Sequence, residues 1–422
     1  MRPQTPRGFR DVLFQEAAER EAVSRAMGEV FAAWGYAPVE TPVVEEYSVL
    51  AAGVGTAAER TAFRLFDLDG SLLALRPEMT VPIARVAASR LAEQPGPHRV
   101  RYVAPVFREH ASMRGQARQF TQAGIELIGT GGPVADAEVV TLAVEALEAA
   151  GLTSYTIGIG TVEVLRDLID ASGADEIWGA AVIAAAHERN LVELERLAAD
   201  PGVRPEVAAA LTAAPRIRGG REALDACRDL LVACGCMSTL CNLRETYRVL
   251  EGLGYGDRVT VDFGIMRSFD YYTGFVLEAY APGLGLPLGG GGRYDRLLAA
   301  FGAPASAAGF ALGIERVMIA LAEQGATPAV PGLDAVIGGL DSVVVFSAAR
   351  ALRAAGWRVM PAVGKRGLAL VREAERADAV EALVAEGDSI FRLDRAGEFA
   401  LPLEKPLPAP PGATWAQKGG AR

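Results

Sequence analysis

Apolar residues recur at helical spacing from Phe14 onward and stop at Gly35, which predicts an amphipathic helix over 14–35. Extended stretches follow, and Leu65 to Leu75 reads as a hairpin turning at Asp69-Gly70. The pattern returns to helical spacing over Glu78 to Leu91. From Arg99 to Gly129 it becomes two long strands joined by a polar loop, the first ending at Arg108 and the second starting near Arg118. Val134 to Ala150 is helical, with Gly151 as its stop, and Tyr155 to Ile159 is a short strand. The character then changes. From about 162 to 253 the chain is rich in alanine, leucine and charge, with few strand signals, and reads as a helical insertion. Strand patterns resume over Arg258 to Gly264 and Gly274 to Tyr280, again after the Gly289 to Gly292 run, and over Ala308 to Leu312; Ile314 to Gln324 is helical.

The stretch ATPAVPG, residues 326–332, has linker composition. Beyond it the order is strand, helix, strand, helix, strand: Ala335–Ile337, Val343–Ala355, Trp357–Val363, Gly367–Glu386 and Ser389–Leu393. The expected organisation is α+β. A core domain spans 1–325 with its insertion at about 162–253, a small α/β domain spans 333–404, and a proline-rich tail, 405–422, is expected to be disordered.

Composition narrows the function classes. Half of the chain is apolar and 22% is charged, as in ordinary globular proteins, and the net charge is −10. An acidic chain without a lysine cluster in its C-terminal domain offers little for neutralising phosphates. The first residues, MRPQTPRGFRDVLF, lack an apolar signal core, and no stretch has the length of a membrane span, so a cytoplasmic location is expected. Cys227, Cys234, Cys236 and Cys241 lack paired C-x-x-C spacing and are read as reduced thiols packed in a helical region, with no metal site.

The chemistry concentrates on the long strand pair. Side chains on a strand alternate between faces, so Gln122, Gly124 and Glu126 share one. A glutamine and a glutamate with a glycine between them make a polar floor open to a ligand. Arg108 can supply an opposing charge. That set suits a small zwitterion with a further hydrogen-bonding group, such as an amino acid. The run Gly289–Gly292 lacks a G-K-[ST] and strand-loop-helix order, so it is read as strand backbone passing close to a ligand or to another strand rather than as a phosphate loop.

This segment resembles motif 2 of class II aminoacyl-tRNA synthetases in its histidyl form. Thr41-Pro42 is similar to motif 1, and Leu75-Arg76-Pro77-Glu78-Met79-Thr80 to the histidyl strand-to-helix turn. Arg267 to Gly274, RSFDYYTG, is similar to the histidine-specific block. Gly291 to Asp295 and Gly309 to Arg316 resemble the glycine-rich strand and motif 3. The likeness runs in family order over about residues 5–323. It implies a class II antiparallel sheet flanked by helices, dimerising through motif 1. It also implies a histidine pocket: Glu78 and Thr80 at the α-amino group, Gln122 and Glu126 continuing it, Tyr272 and Tyr294 along the imidazole, Arg108 and Arg267 facing the carboxylate, and Tyr271 as a further pocket residue.

The nucleotide side departs from the synthetase pattern. The glutamate expected two residues after Arg108 is replaced by His110, the arginine that follows by Ala111, and the loop's Gly-Arg by Gly115-Gln116; Arg316 of motif 3 remains as a vestige. With its amino-acid pocket kept and its nucleotide loop altered, the chain most resembles the regulatory subunits of ATP phosphoribosyltransferase. That resemblance implies a non-catalytic protein of histidine biosynthesis, without a cofactor. Its partner would be a short-form catalytic subunit, made active and histidine-sensitive by a homodimeric core within a hetero-oligomer, a hetero-octamer being one arrangement. No tRNA and no membrane enter this reading. Two alternatives stay open: a histidine–tRNA ligase and a free-standing histidine sensor.

Overall fold

The computed structural model describes residues 4–54, 61–109, 117–236, 240–265, 272–404 and 407–410. It divides into two compact units, Met1–Pro328 and Ala329–Arg422.

The first unit begins with α1 (Phe14–Ala33), β1 (Ala37–Pro38), β2 (Val44–Glu46) and α2 (Tyr47–Val54). The hairpin β3 (Arg64–Phe66) and β4 (Leu72–Leu75) leads into α3 (Thr80–Arg90). Then come β5 (His98–Phe107), β6 (Gln119–Ile128), α4 (Pro133–Ala149) and β7 (Thr156–Thr161). The insertion follows as α5 (Glu163–Ser172), α6 (Glu176–His187), α7 (Leu191–Ala198), α8 (Pro205–Ala213), β8 (Arg218–Gly219), α9 (Arg221–Cys234) and α10 (Cys241–Gly252). The unit closes with β9 (Val259–Asp262), β10 (Phe275–Tyr280), β11 (Gly289–Arg293), β12 (Ala307–Gly313) and α11 (Ile314–Glu323).

Nine strands form one sheet in the order β1-β5-β6-β12-β11-β10-β7-β9-β8. Its centre is antiparallel, and β1 and β9 add parallel pairs. The predicted α+β class is the observed one. The sheet separates two cores because strand side chains alternate. On β6, Ala123, Ile125 and Leu127 enter the larger core with α1, α4 and the insertion helices. The opposite face carries Val100, Tyr102 and Val106 of β5, packed with Leu50 of α2 and Ile83 of α3. Gln122 and Glu126 are on that second side, and the candidate site is there.

Two elements differ from the hydropathy pattern. That pattern begins a strand only after the glycine run, whereas the run is itself the strand, β11, as its reading as close-passing strand backbone has it. A Cβ on Gly291 would sit 2.0 Å from the Gly309 carbonyl oxygen on β12, so the close approach of these strands requires glycine there. In the second unit the expected helix 367–386 is split. After β13 (Ala335–Gly339), α12 (Ser342–Ala354) and β14 (Val359–Val363), α13 (Gly367–Arg376) ends, and β15 (Glu381–Glu386) follows. The sequence Glu-Ala-Leu-Val-Ala-Glu favours a helix, but β15 is buried between parallel β13 and antiparallel β16 (Ser389–Leu393), so packing decides. The strand β17 (Phe399–Pro402) completes the order β14-β13-β15-β16-β17. Beyond it, Leu407 packs on this unit's core and the Pro408 carbonyl accepts from the Trp357 indole at 2.8 Å.

Candidate functional site

The site begins with a helix start. Glu78 precedes α3 and is 4% exposed. Its Oε2 accepts the backbone N–H of Thr80 at 2.6 Å and its Oε1 that of Val81 at 2.8 Å. A carboxylate at the positive end of a helix dipole satisfies two N–H groups that have no partner within the helix. Burial pushes the Glu78 carboxyl up from its ordinary range, and the bonds from Val81 and Thr80 together with the Arg108 charge oppose that rise. The turn before it is pinned by Arg76. Its buried guanidinium donates to the carbonyls of Pro105 at 3.0 Å, Thr41 at 2.6 Å and Pro42 at 3.2 Å. Thr41-Pro42, the segment similar to motif 1, is thereby tied to the turn that presents Glu78.

Glu126 lies beneath the site, behind Thr80 and Tyr294. It is 1% exposed. Its Oε1 accepts from the Thr80 hydroxyl at 2.9 Å and from the Tyr102 phenol at 3.4 Å, and its Oε2 from the Tyr294 phenol. Burial pushes this carboxyl up to about 8; the Tyr294, Thr80 and Tyr102 hydroxyls hold it back, and the Glu78 charge adds to the rise. Gln122, on the same face of β6, is 8% exposed, and its Oε1 is buried with no hydrogen-bond donor among the described residues. A buried acceptor left open is costly in the empty site and can take an N–H from a ligand.

Against the Thr80 and Tyr294 side chains that cover Glu126 is a pocket with about 640 Å³ of empty space, its open mouth included. Glu78, Thr80, Arg108, Gln122, Tyr272, Tyr294 and Arg316 all line it, joined by Phe120 and the backbone of Gly289–Gly291 and Gly309–Ala311. Arg108 donates from Nε to the Pro77 carbonyl at 2.8 Å, with its guanidinium 5.1 Å from the Phe120 ring centre. Arg316 donates to the Pro287 carbonyl at 2.7 Å. Arg267 and Tyr271 lie outside the described residues, as do His110, Ala111, Gly115 and Gln116 of the motif 2 loop. Glu109, next to Arg108, is ion-paired with Arg118, whose guanidinium is also 4.3 Å from the Phe63 ring centre.

Sequence reading missed Tyr102 and Phe120. Phe120 carried a usable signal, because it alternates in phase with Gln122 and Glu126 on β6. Tyr102 becomes visible only once register is known: it pairs with Gly124, whose missing side chain makes room for the ring. Among the described residues no group of three or more His, Cys, Asp or Glu side chains could hold a metal ion, and no helix is long and apolar enough to cross a membrane.

The histidyl-tRNA synthetase family profile matches residues 8–317. The ATP phosphoribosyltransferase regulatory subunit of Symbiobacterium thermophilum is 44% identical over 362 residues, 85% of this chain and 90% of that one. Its counterpart in Moorella thermoacetica is 39% identical over 357 residues, 85% and 91% of the two chains. A crystal structure from Bacillus halodurans C, titled ATP phosphoribosyltransferase regulatory subunit/histidyl-tRNA synthetase, superposes with a TM-score of 0.79. It is 30% identical and covers 91% of this chain and 98% of its own.

Proposed function

The chain belongs to the ATP phosphoribosyltransferase regulatory-subunit family, within the histidyl-tRNA-synthetase-like fold, and on that premise we propose that it is the non-catalytic, cytoplasmic partner of a short-form catalytic subunit. It assembles with that subunit around its own homodimeric core, makes it active and renders it sensitive to histidine. The observation that carries this reading is the identity with regulatory subunits across about nine-tenths of their length.

The pocket supports histidine as the ligand. Gln122 and Glu78 offer acceptors to N–H groups, the buried Glu126 adds negative charge behind Thr80 and Tyr294, Tyr272 and Tyr294 offer a flat wall with polar tips, and Arg108 offers a cation to the carboxylate. Histidine then regulates by binding the active and inactive assemblies with different affinity. Mixing the two purified proteins tests the proposal. A larger species by light scattering, a gain in phosphoribosyltransferase rate and inhibition by added histidine are expected. A catalytic chain that elutes alone with an unchanged rate would overturn it. The profile match over residues 8–317 keeps a histidine–tRNA ligase as the second reading.

A further inference from the structure

Among the described residues the Glu126 carboxyl is bonded by hydroxyls alone: Thr80 from α3, Tyr102 from β5 and Tyr294 just after β11. From the turn before α3 the neighbouring charge is another carboxylate, Glu78, with both its oxygens on backbone N–H groups. From β12 the neighbours are the Gly309 and Phe310 backbone. Ahead of β10 the pocket presents the Tyr272 ring, and Arg108 on its wall is directed to the Pro77 carbonyl and the Phe120 ring. Two residues beyond Gly124 in the other direction, the Gln122 amide holds its unpartnered buried oxygen.

A buried carboxyl beside a second carboxylate, surrounded by groups that can accept as well as donate, keeps a proton when the pocket is empty. A cationic ligand reverses that balance, because its positive charge, placed against the Thr80 and Tyr294 hydroxyls that bond Glu126, does the proton's work. Resting on the histidine-pocket reading above, we infer that the site is proton-coupled: a cationic amino acid binds by displacing one proton from Glu126 to solvent and by giving one N–H to the open oxygen of Gln122. The charges balance. The Glu126 O–H bond breaks, its proton leaves to water, and the ligand ammonium or imidazolium keeps its own protons, its charge balanced by the carboxylate formed behind the Thr80 and Tyr294 hydroxyls. The push of Glu126 to about 8 sets the range, so ligand affinity falls as pH drops below that value.

The test is calorimetric titration of L-histidine into the full-length chain, alone and mixed with the catalytic subunit. The parent should release close to one proton per histidine at about pH 7, read from a pair of buffers with different ionisation enthalpies. Its affinity should fall about fifteenfold from about pH 8 to 6.5. Glu126→Gln, which cannot ionise, should change less than about threefold over that range; protonation of histidine itself is common to both proteins and cancels. The buffer pair needs no variant, so a poorly folded Glu126→Gln leaves the proton count decisive. Histidine bound by the parent without proton release, or with the same pH profile in the variant, overturns the coupling and leaves the pocket reading in place. No histidine binding at any pH, alone or with the partner, overturns both.

Discussion

Glu126 lays its carboxylate over the bare Cα of Gly309, its cross-strand partner on β12, and a Cβ there would stand 1.9 Å from Oε2. The buried carboxyl behind the pocket therefore has room because one strand lacks a side chain where the next bends one over.

Gly309→Ala should drive the carboxylate off Tyr294 and Thr80. Overpacking of this kind costs about 1–3 kcal/mol, and the loss of charge-assisted bonds should weaken histidine binding at least about tenfold. Urea unfolding and calorimetry measure the two effects. An Ala variant with parental stability and affinity would show that β12 can yield without moving Glu126.

Glu78 has a structural duty beside any contact with ligand. Its carboxylate caps α3 through Thr80 and Val81. Glu78→Ala should lower stability by about 1–2 kcal/mol even without histidine, the usual scale for a lost cap. Glu78→Gln keeps one acceptor oxygen and should recover part of it. Equal midpoints for parent and Ala variant in chemical denaturation would deny the capping role.

The long strand pair and its shared face could be read from alternation alone, because a period of two puts Gln122, Gly124 and Glu126 on one face whatever their surroundings. The helical character of the insertion was legible for the same local reason, as six helices lie between Glu163 and Gly252 among its described residues. What could not be read was set by contacts distant in sequence. β15 is a strand only because β13 and β16 flank it. Tyr102 belongs to the site because register places it opposite Gly124. The two oxygens of Glu78 also needed coordinates, since a sequence names a carboxylate without saying which N–H groups reach it first.

The proposed lack of synthetase chemistry has a direct assay. Gln116 stands where the synthetase loop carries arginine, and Glu109 is ion-paired with Arg118. A triphosphate needs cations that are free to meet it. Histidine-dependent exchange of pyrophosphate into ATP should stay at background. Exchange at roughly 1–100 per second, the range of working enzymes, would restore the ligase reading.

The buried Glu126 should also mark the stability of the empty protein. Its folded value of about 8 lies above its ordinary value of 4.5. Between those limits the folded carboxyl keeps a proton that the unfolded chain has released. Stability therefore falls as pH rises through the window, the reverse of a salt-bridged carboxylate, and is least affected below about pH 4.5. Across the whole window the penalty is on the order of 3–5 kcal/mol, and the group is too deeply buried for solvent to screen it. Glu126→Gln has no proton to lose. Whatever its fixed cost in altered hydrogen bonds, that cost is the same at every pH, so the parent should be the more favoured of the two near pH 5 and should lose that advantage by a few kcal/mol near pH 8. Paired urea unfolding curves at the two values measure the difference between the proteins. A difference that does not change with pH would mean that Glu126 is ionised in the empty pocket, and with it the proton coupling of ligand binding would fall.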